Sequence, residues 1–416
     1  MSKLSELIAE YCPDGVEYKE LWEITIWDKR FNSVDRKKQP KVISYPYVLA
    51  AKLFDLSVEN GNVFLLATGL RSAWTDEETA GGNLCDGEVI TIPWGKSRPV
   101  KEVMKYYKGK FVTADNRITT SADTSILINK YLYYCMYNNS AFIDKTYRGS
   151  GIQHPNMNEV LHIKIPLPPI QVQEEIVRIL DTFTELTTEL TTELTTELTA
   201  RKKQYEYYRD SLLTFGDDVE WKSLRDVSLE FGRGKSKHRP RNDARLYGGD
   251  IPFIQTGDIR NASHIIKEFT QTYSEFGLNQ SKLWRKGTLC ITIAANVAET
   301  SILNFDSCFP DSVIGFVADP LKTSSNYVEY LLSSYKSILQ AKSTGSAQEN
   351  INIETFKKLL LPFPPLAEQQ RIVDILDRFD TLCNDLSSGL PAEIKARQQQ
   401  YEYYRDQLLT FEEVKK

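Results

Sequence analysis

The sequence predicts an α+β protein: two mixed α/β domains separated by two long helices, paired antiparallel like a coiled coil, in a pseudo-twofold, circular tandem duplication. Three observations predict this class. A motif recurs at a constant offset, apolar residues follow it at helical spacing, and short β-type runs are confined to the stretches between.

The repeat comes first. Pro166-Leu-Pro-Pro169 recurs as Pro362-Phe-Pro-Pro365, and Arg201-Lys-Lys-Gln-Tyr-Glu-Tyr-Tyr-Arg-Asp210 recurs as Arg397-Gln-Gln-Gln-Tyr-Glu-Tyr-Tyr-Arg-Asp406. Pro166 and Pro362, Arg201 and Arg397, and Phe215 and Phe411 are each 196 residues apart. A weaker echo opens each copy, Val16-Glu-Tyr-Lys-Glu-Leu21 against Val219-Glu-Trp-Lys-Ser-Leu224, and Phe411-Glu-Glu-Val414 resembles a third opening. The circular pattern suggests that the chain's two ends meet. The boundaries it implies are an N-terminal segment 1–23 closing on the C-terminal end, a first domain 24–165, a central helix 166–215, a second domain 216–361 and a C-terminal helix 362–416.

Each helix starts just after its proline pair, because proline cannot continue a helix backwards. Ile176, Ile179, Leu180, Phe183, Leu186, Leu190, Leu194 and Leu198 form one apolar stripe; Ile372, Ile375, Leu376, Phe379, Leu382, Leu386, Leu390 and Ile394 form the other. Such stripes bury most simply on each other. Tyr205, Tyr208, Tyr401 and Tyr404 continue them as packing residues. A helix over about 170–213 would be roughly 65 Å long. In its middle stand four Thr-Glu-Leu-Thr units, 184–187 to 196–199, whereas the second copy has Gly389 and Pro391, which predict a kink or restart. The tetrapeptides read either as slippage on a solvated helix or as a ruler, each unit adding roughly 6 Å against ~3.4 Å per base pair.

The stretches about 24–165 and 225–361 barely resemble each other. β-type runs occur at Gly87–Ile92, Ser125–Ile128, Gly287–Ile293 and Ser312–Val317, with helical pieces near Tyr131–Tyr137 and Tyr327–Leu339. The two stretches converge again at Gly149-Ser-Gly-Ile-Gln153 and Gly345-Ser-Ala-Gln348.

The 416 residues carry 51 Lys+Arg against 56 Asp+Glu, a net charge of −5, which excludes binding to nucleic acid by bulk positive charge alone. Six scattered cysteines and four histidines offer neither a disulfide framework nor a metal site. No apolar run reaches a membrane span and no signal-peptide core is present, so a soluble, cytoplasmic chain is expected. Catalytic look-alikes fail on spacing. Gly234-Lys-Ser236 and Gly95-Lys-Ser97 have Leu229 and Ile90 where a phosphate loop needs glycine. The proline pairs follow Leu167 and Phe363 rather than Asp or Asn, so no amino-methyltransferase loop is seen, and no catalytic or metal-binding residue is assigned.

Local basic clusters are the candidates for DNA contact. Arg233, Lys235, Lys237, Arg239 and Arg241 crowd one loop of the second domain; Arg30, Arg36, Lys37 and Lys38 form a more diluted group in the first. Arg71 and Arg148 are scattered additions, and Gln153 and Gln348 occupy the matched Gly-Ser sites. Arginine can fork onto guanine, and glutamine can pair with adenine.

The whole chain resembles the specificity subunit of a type I restriction–modification system. The resemblance rests on Gly248-Gly-Asp-Ile-Pro-Phe-Ile254, Gly257-Asp-Ile259, Lys286-Gly-Thr-Leu289, Asp311-Ser-Val-Ile-Gly315, the paired helices and the tetrapeptide tract, which matches the subgroup with spacer repeats. The first domain lacks the Gly-Gly-Asp-Ile-Pro phrase. The resemblance implies two target-recognition heads, each reading half of a bipartite double-stranded DNA site, on helices that dock two methyltransferase subunits and restriction/translocation subunits. It implies no cofactor on this chain; S-adenosylmethionine, ATP and Mg would sit on those partners. The alternatives are a self-contained DNA methyltransferase or nuclease, and a coiled-coil adaptor that never touches DNA.

Overall fold

Each proline pair fixes extended backbone and then releases the chain into a helix. In the computed structural model, which describes residues 3–96, 98–114, 116–216, 218–262, 264–293, 298–344, 353–384 and 389–414, the central helix runs Ile170–Leu212 without a break. The second copy is two helices, Leu366–Asn384 and Leu390–Leu408. The second restarts where Gly389 and Pro391 predict it: the Gly389 carbonyl accepts from Ala392 N at 3.0 Å, and proline at the second helical position lacks only an N–H that no helical carbonyl would receive. Of the kink or restart expected in the second helix, the structure has the restart.

The chain divides into two compact units, Met1–Leu190 with Arg397–Lys416, and Thr191–Ala396. Within the first, strands Thr25–Trp27, Asn116–Ser121, Cys85–Pro93, Lys105–Thr113, Val63–Leu66 and Trp74–Thr75 form one six-stranded sheet in that order. Only the pairing of Val63–Leu66 with Lys105–Thr113 is parallel. The predicted strand at Ser125–Ile128 is instead a turn: Asp123 accepts from Ser125 N and Oγ at 2.9 and 2.6 Å, and Ile128 caps the helix Asn129–Asn138. The Asp-x-Ser turn outcompetes β propensity there. In the second unit the sheet has five strands, ordered Ser228–Arg233, Val313–Ala318, Leu289–Thr292, Thr300–Leu303 and Ile265–Ile266.

The two units share one internal wiring. Tyr131 Oη donates to the Pro166 carbonyl at 3.1 Å and Tyr327 Oη to the Pro362 carbonyl at 3.0 Å. Gln173, wholly buried, donates through Nε2 to the Ile126 and Pro168 carbonyls, both at 2.7 Å; Gln369 does the same to Lys322 and Pro364 at 2.9 and 2.8 Å. Tyr134 Oη meets Asp181 at 2.5 Å and Tyr330 Oη meets Asp377 at 2.7 Å. Each pair of equivalents is again 196 residues apart, so the duplicated scaffold reaches back to residue 126, inside the stretch that reads as unrelated in sequence. Val172, Ile176 and Leu180 complete the core of the first unit, and Ile372, Val373 and Leu376 that of the second.

Antiparallel helix pairing is present inside each unit. In the first, Phe183 meets Tyr404 edge-on at 6.0 Å and Thr184 Oγ1 lies 2.9 Å from Tyr401 Oη. In the second, Tyr208 stacks on Phe379 at 5.5 Å with Tyr205 beside it. These tyrosines pack. The leucine stripe does so less completely: Leu190, Leu194 and Leu198 are half-buried and Leu186 is 56% exposed. Opposite Leu186 stand the polar Arg397 and Gln400, which leave the groove open, and leucines four apart drift by about 40° per unit around a 3.6-residue turn.

Within the first unit the chain's ends join. Val16 N donates to the Glu412 carbonyl at 2.8 Å and Val414 N to the Val16 carbonyl at 3.2 Å. Gly15, at φ +97°, is required here, since a Cβ would lie 2.6 Å from the Glu412 oxygen.

Candidate nucleic-acid interface

The basic loop of the second head leaves the strand Ser228–Arg233 and is held at several points. Gly234 N donates to the Val313 carbonyl at 2.9 Å, and a side chain at Gly234 would come within 2.2 Å of the Phe309 oxygen. Ser281 Oγ donates to the Lys235 carbonyl at 2.7 Å, and His238 N donates to Gln280 Oε1 at 3.0 Å. His238 Nε2 lies 2.7 Å from Asp243, whose carboxyl Arg245 and His238 together hold far below the usual carboxylate range.

This scaffold sorts the five cations. Arg233, Lys235 and Lys237 are exposed and make no side-chain hydrogen bond or ion pair among the described residues. Arg239 instead donates through Nη1 to the Ser236 and His238 carbonyls at 2.7 and 2.8 Å, and Arg241 Nη2 donates to both Asp311 carboxylate oxygens at 2.8 and 3.1 Å. Those two help hold the loop's shape, each through one terminal guanidinium nitrogen, and both side chains stay exposed. Three of the five candidates, Arg233, Lys235 and Lys237, thus have no side-chain hydrogen bond or ion pair among the described residues, and two are partly engaged.

The first head's cluster divides in the same way. Arg36 and Lys37 are exposed on a short turn capped by Asp35, which accepts from Lys37 N at 2.9 Å, while Arg30 reaches only the Pro40 carbonyl at 3.4 Å. Lys38 is turned inward, its Nζ 2.5 Å from His162 Nε2 and 5.2 Å from the Trp22 ring centre, so it is withdrawn from the candidate surface. Arg71 lies 4.1 Å over the Phe54 ring. Arg148 is spent on the Lys145 and Tyr147 carbonyls and on Glu159 at 3.6 Å. Gln153 keeps an exposed side chain while its carbonyl accepts from Lys96 N at 2.9 Å. Gln348 lies outside the described residues.

One exposed cation beside the second loop escaped the sequence reading: Arg245, clamped on Asp243 at 2.7 Å and 5.1 Å over Phe276. The Asp-x-Arg spacing was its only signal. Among the described residues no cluster of three or more His, Cys, Asp or Glu could hold a metal ion, and all six cysteines are free and buried.

A family model described as the type I restriction modification DNA specificity domain matches residues 17–200 and again 216–396. The chain belongs to the type I restriction–modification specificity family. Its specificity domains are thus two, and each contains one head and the start of one scaffold helix. The chain is 33% identical over 315 residues to the EcoR124I/EcoR124II specificity subunit of Escherichia coli, covering 71% of this chain and 74% of that one. It is 34% identical over 340 residues to a putative specificity subunit of Haemophilus influenzae, covering 78% and 83%. Two solved specificity-family folds are similar at 16% identity. One, from work on assembly and conformational transition of a type I R-M system, has a TM-score of 0.63 and covers 95% of this chain and 98% of its own. The other, the HsdS subunit of Thermoanaerobacter tengcongensis, has a TM-score of 0.52 and covers 96% and 97%.

Proposed function

We propose that this chain reads a bipartite DNA target, one half-site with each head, as the non-catalytic subunit of a type I restriction–modification complex in the cytoplasm. The observation that carries the reading is the pairing of two unlike heads with two copies of one scaffold: what differs reads sequence, and what repeats holds partners. Arg233, Lys235 and Lys237 on the second head and Arg36 and Lys37 on the first are the cations free to meet phosphate and base edges. S-adenosylmethionine, ATP and Mg belong, on this reading, to partner subunits.

The repeated face supports two equal docking sites for methyltransferase subunits. Tyr207 and Tyr403 are 70% and 61% exposed, and each meets its neighbouring tyrosine edge-on, at 5.6 and 5.5 Å, with the same 72° between rings. Restriction/translocation subunits would join through those partners. The unbroken helix Ile170–Leu212 favours the ruler over slippage, because four added residues lengthen a continuous helix by about 6 Å.

Methylated-motif mapping in a host carrying this chain and its methyltransferase tests the reading. Deleting Thr196–Thr199 should shift the gap by one or two base pairs and leave both half-sites unchanged; altered half-sites or an unmoved gap would refute the ruler. Replacing 225–361 by another head should change one half-site only. Methylation by the purified chain alone would restore the enzyme reading.

A further inference from the structure

The second unit buries a histidine–carboxylate pair that its DNA-reading role does not call for. His264 and Glu329 are 7% and 4% exposed, with Nδ1 2.7 Å from Glu329 Oε2. Thr300 Oγ1 donates to the other carboxylate oxygen at 3.0 Å, and the imidazole lies flat on Tyr330, ring centres 4.6 Å apart at 13°. His264 belongs to the head: its carbonyl accepts from Ile302 N at 3.0 Å and it precedes the edge strand Ile265–Ile266. Glu329 and Tyr330 belong to the helix Ser325–Thr344, and Tyr330 is wired to the scaffold through Asp377.

We propose that His264, clamped between Glu329 and Tyr330, is a proton-operated latch that fixes the edge of the second head's sheet to its scaffold helix. A neutral imidazole keeps one hydrogen bond. An imidazolium adds charge against Glu329 and a cation on the face of Tyr330. Nε2 has no hydrogen-bond partner among the described residues, so its proton depends on the surrounding negative field. That field comes from Glu329 on Ser325–Thr344 and from Asp380 and Asp377 on Leu366–Asn384; Tyr330 and, from the central helix, Tyr205 are the neutral titratable neighbours. Burial pulls the imidazole's pKa down, but Glu329, Asp380 and Asp377 outweigh it and hold the group above its ordinary 6.5. The latch is therefore fully set below about pH 6.5 and loosens as pH rises through the higher folded value.

The first unit has no such proton. The position equivalent to Glu329 is Tyr133, and the corresponding contact is Lys130, 3.3 Å from Asp181 and 4.4 Å over the Tyr106 ring. Lysine keeps its charge across neutrality, so this contact should respond to pH near neutrality in the second unit and not in the first.

The test uses the full chain with labelled histidine, whose four imidazoles are resolvable by NMR, together with amide exchange. His264 should titrate above 6.5, and Glu329→Gln should drop its midpoint below 6.5. Amides of 265–266 and 300–303, corrected for intrinsic rate, should exchange several-fold more slowly at about pH 6 than at about pH 8.5. His264→Gln should remove that difference. A wild-type midpoint at or below 6.5, or a pH response that persists in His264→Gln, would overturn the latch. Its effect on half-site choice rests on the proposed function: exchange that responds to pH without any change in the second half-site's methylation supports the latch and counts against DNA reading by that head.

Discussion

The two units solve one packing problem with the same scaffold and different surroundings. In the first, Gln173 Oε1 accepts from a backbone amide, Ile128 N, at 2.9 Å; in the second, Gln369 Oε1 accepts from a side chain, the Thr323 hydroxyl, at 2.8 Å. The first unit also carries the helix Lys3–Tyr11, tied by Lys3 to Glu175 at 2.9 Å, whereas the second has Arg371 at the equivalent position, paired with Glu368. Duplication thus preserved the contacts that hold a helix to its own proline turn. It released those that face a head or a terminus.

The largest test of this comparison is Gln173→Leu. It would strand one buried amide and two carbonyls, costing the first unit on the order of 4 kcal/mol. Gln369→Leu should cost the second unit about 1 kcal/mol less, because the Thr323 hydroxyl can rotate to another acceptor. Calorimetry resolving two transitions would read both; equal costs would deny the difference. Next is Gly234→Ala, which forces the basic loop off Phe309 and should cost the second unit about 2–3 kcal/mol while the first unit's transition stays put. Head-specific DNA titrations across salt come third. Alanine at Arg233, Lys235 and Lys237 should flatten the slope by about 2–3, and at Arg36 and Lys37 by about 2, whereas Lys38→Ala should leave it unchanged.

The smallest effect is acid lability of the tie between Lys3–Tyr11 and the first unit's scaffold helix. Arg178, and then Lys3 against the opposing pull of burial, hold the Glu175 carboxyl down to about 2 from 4.5. Its contribution is complete above 4.5 and lost as pH falls from there toward about 2. Amide exchange in Lys3–Tyr11 should accelerate over that window, and Glu175→Gln should abolish the change.

Much of the scaffold was legible because its signals are local: a proline pair to start a helix, a three-four apolar rhythm, Gly389 and Pro391 to restart one. The heads were legible in outline, with strands found at Leu289–Thr292 and Val313–Ala318. Ser125–Ile128 misled because β-rich composition says nothing of Asp123's turn. The matched Tyr131/Tyr327 and Tyr134/Tyr330 were visible at the same offset as the repeat, yet divergent neighbours hid them.

The sequence by itself determined that this chain is a duplication with paired helices, two unlike heads and basic loops in an acidic whole, since repeat, periodicity and charge count are properties of the chain read along its length. Which cations remain free was decided only by tertiary structure. Arg241 meets Asp311 and Lys38 meets His162, partners 70 and 124 residues away, and His264 gains a buried carboxylate partner only when Glu329 reaches it across the fold. A charge is exposed or spent according to what long-range packing brings within about 4 Å of it, and no local pattern encodes that distance.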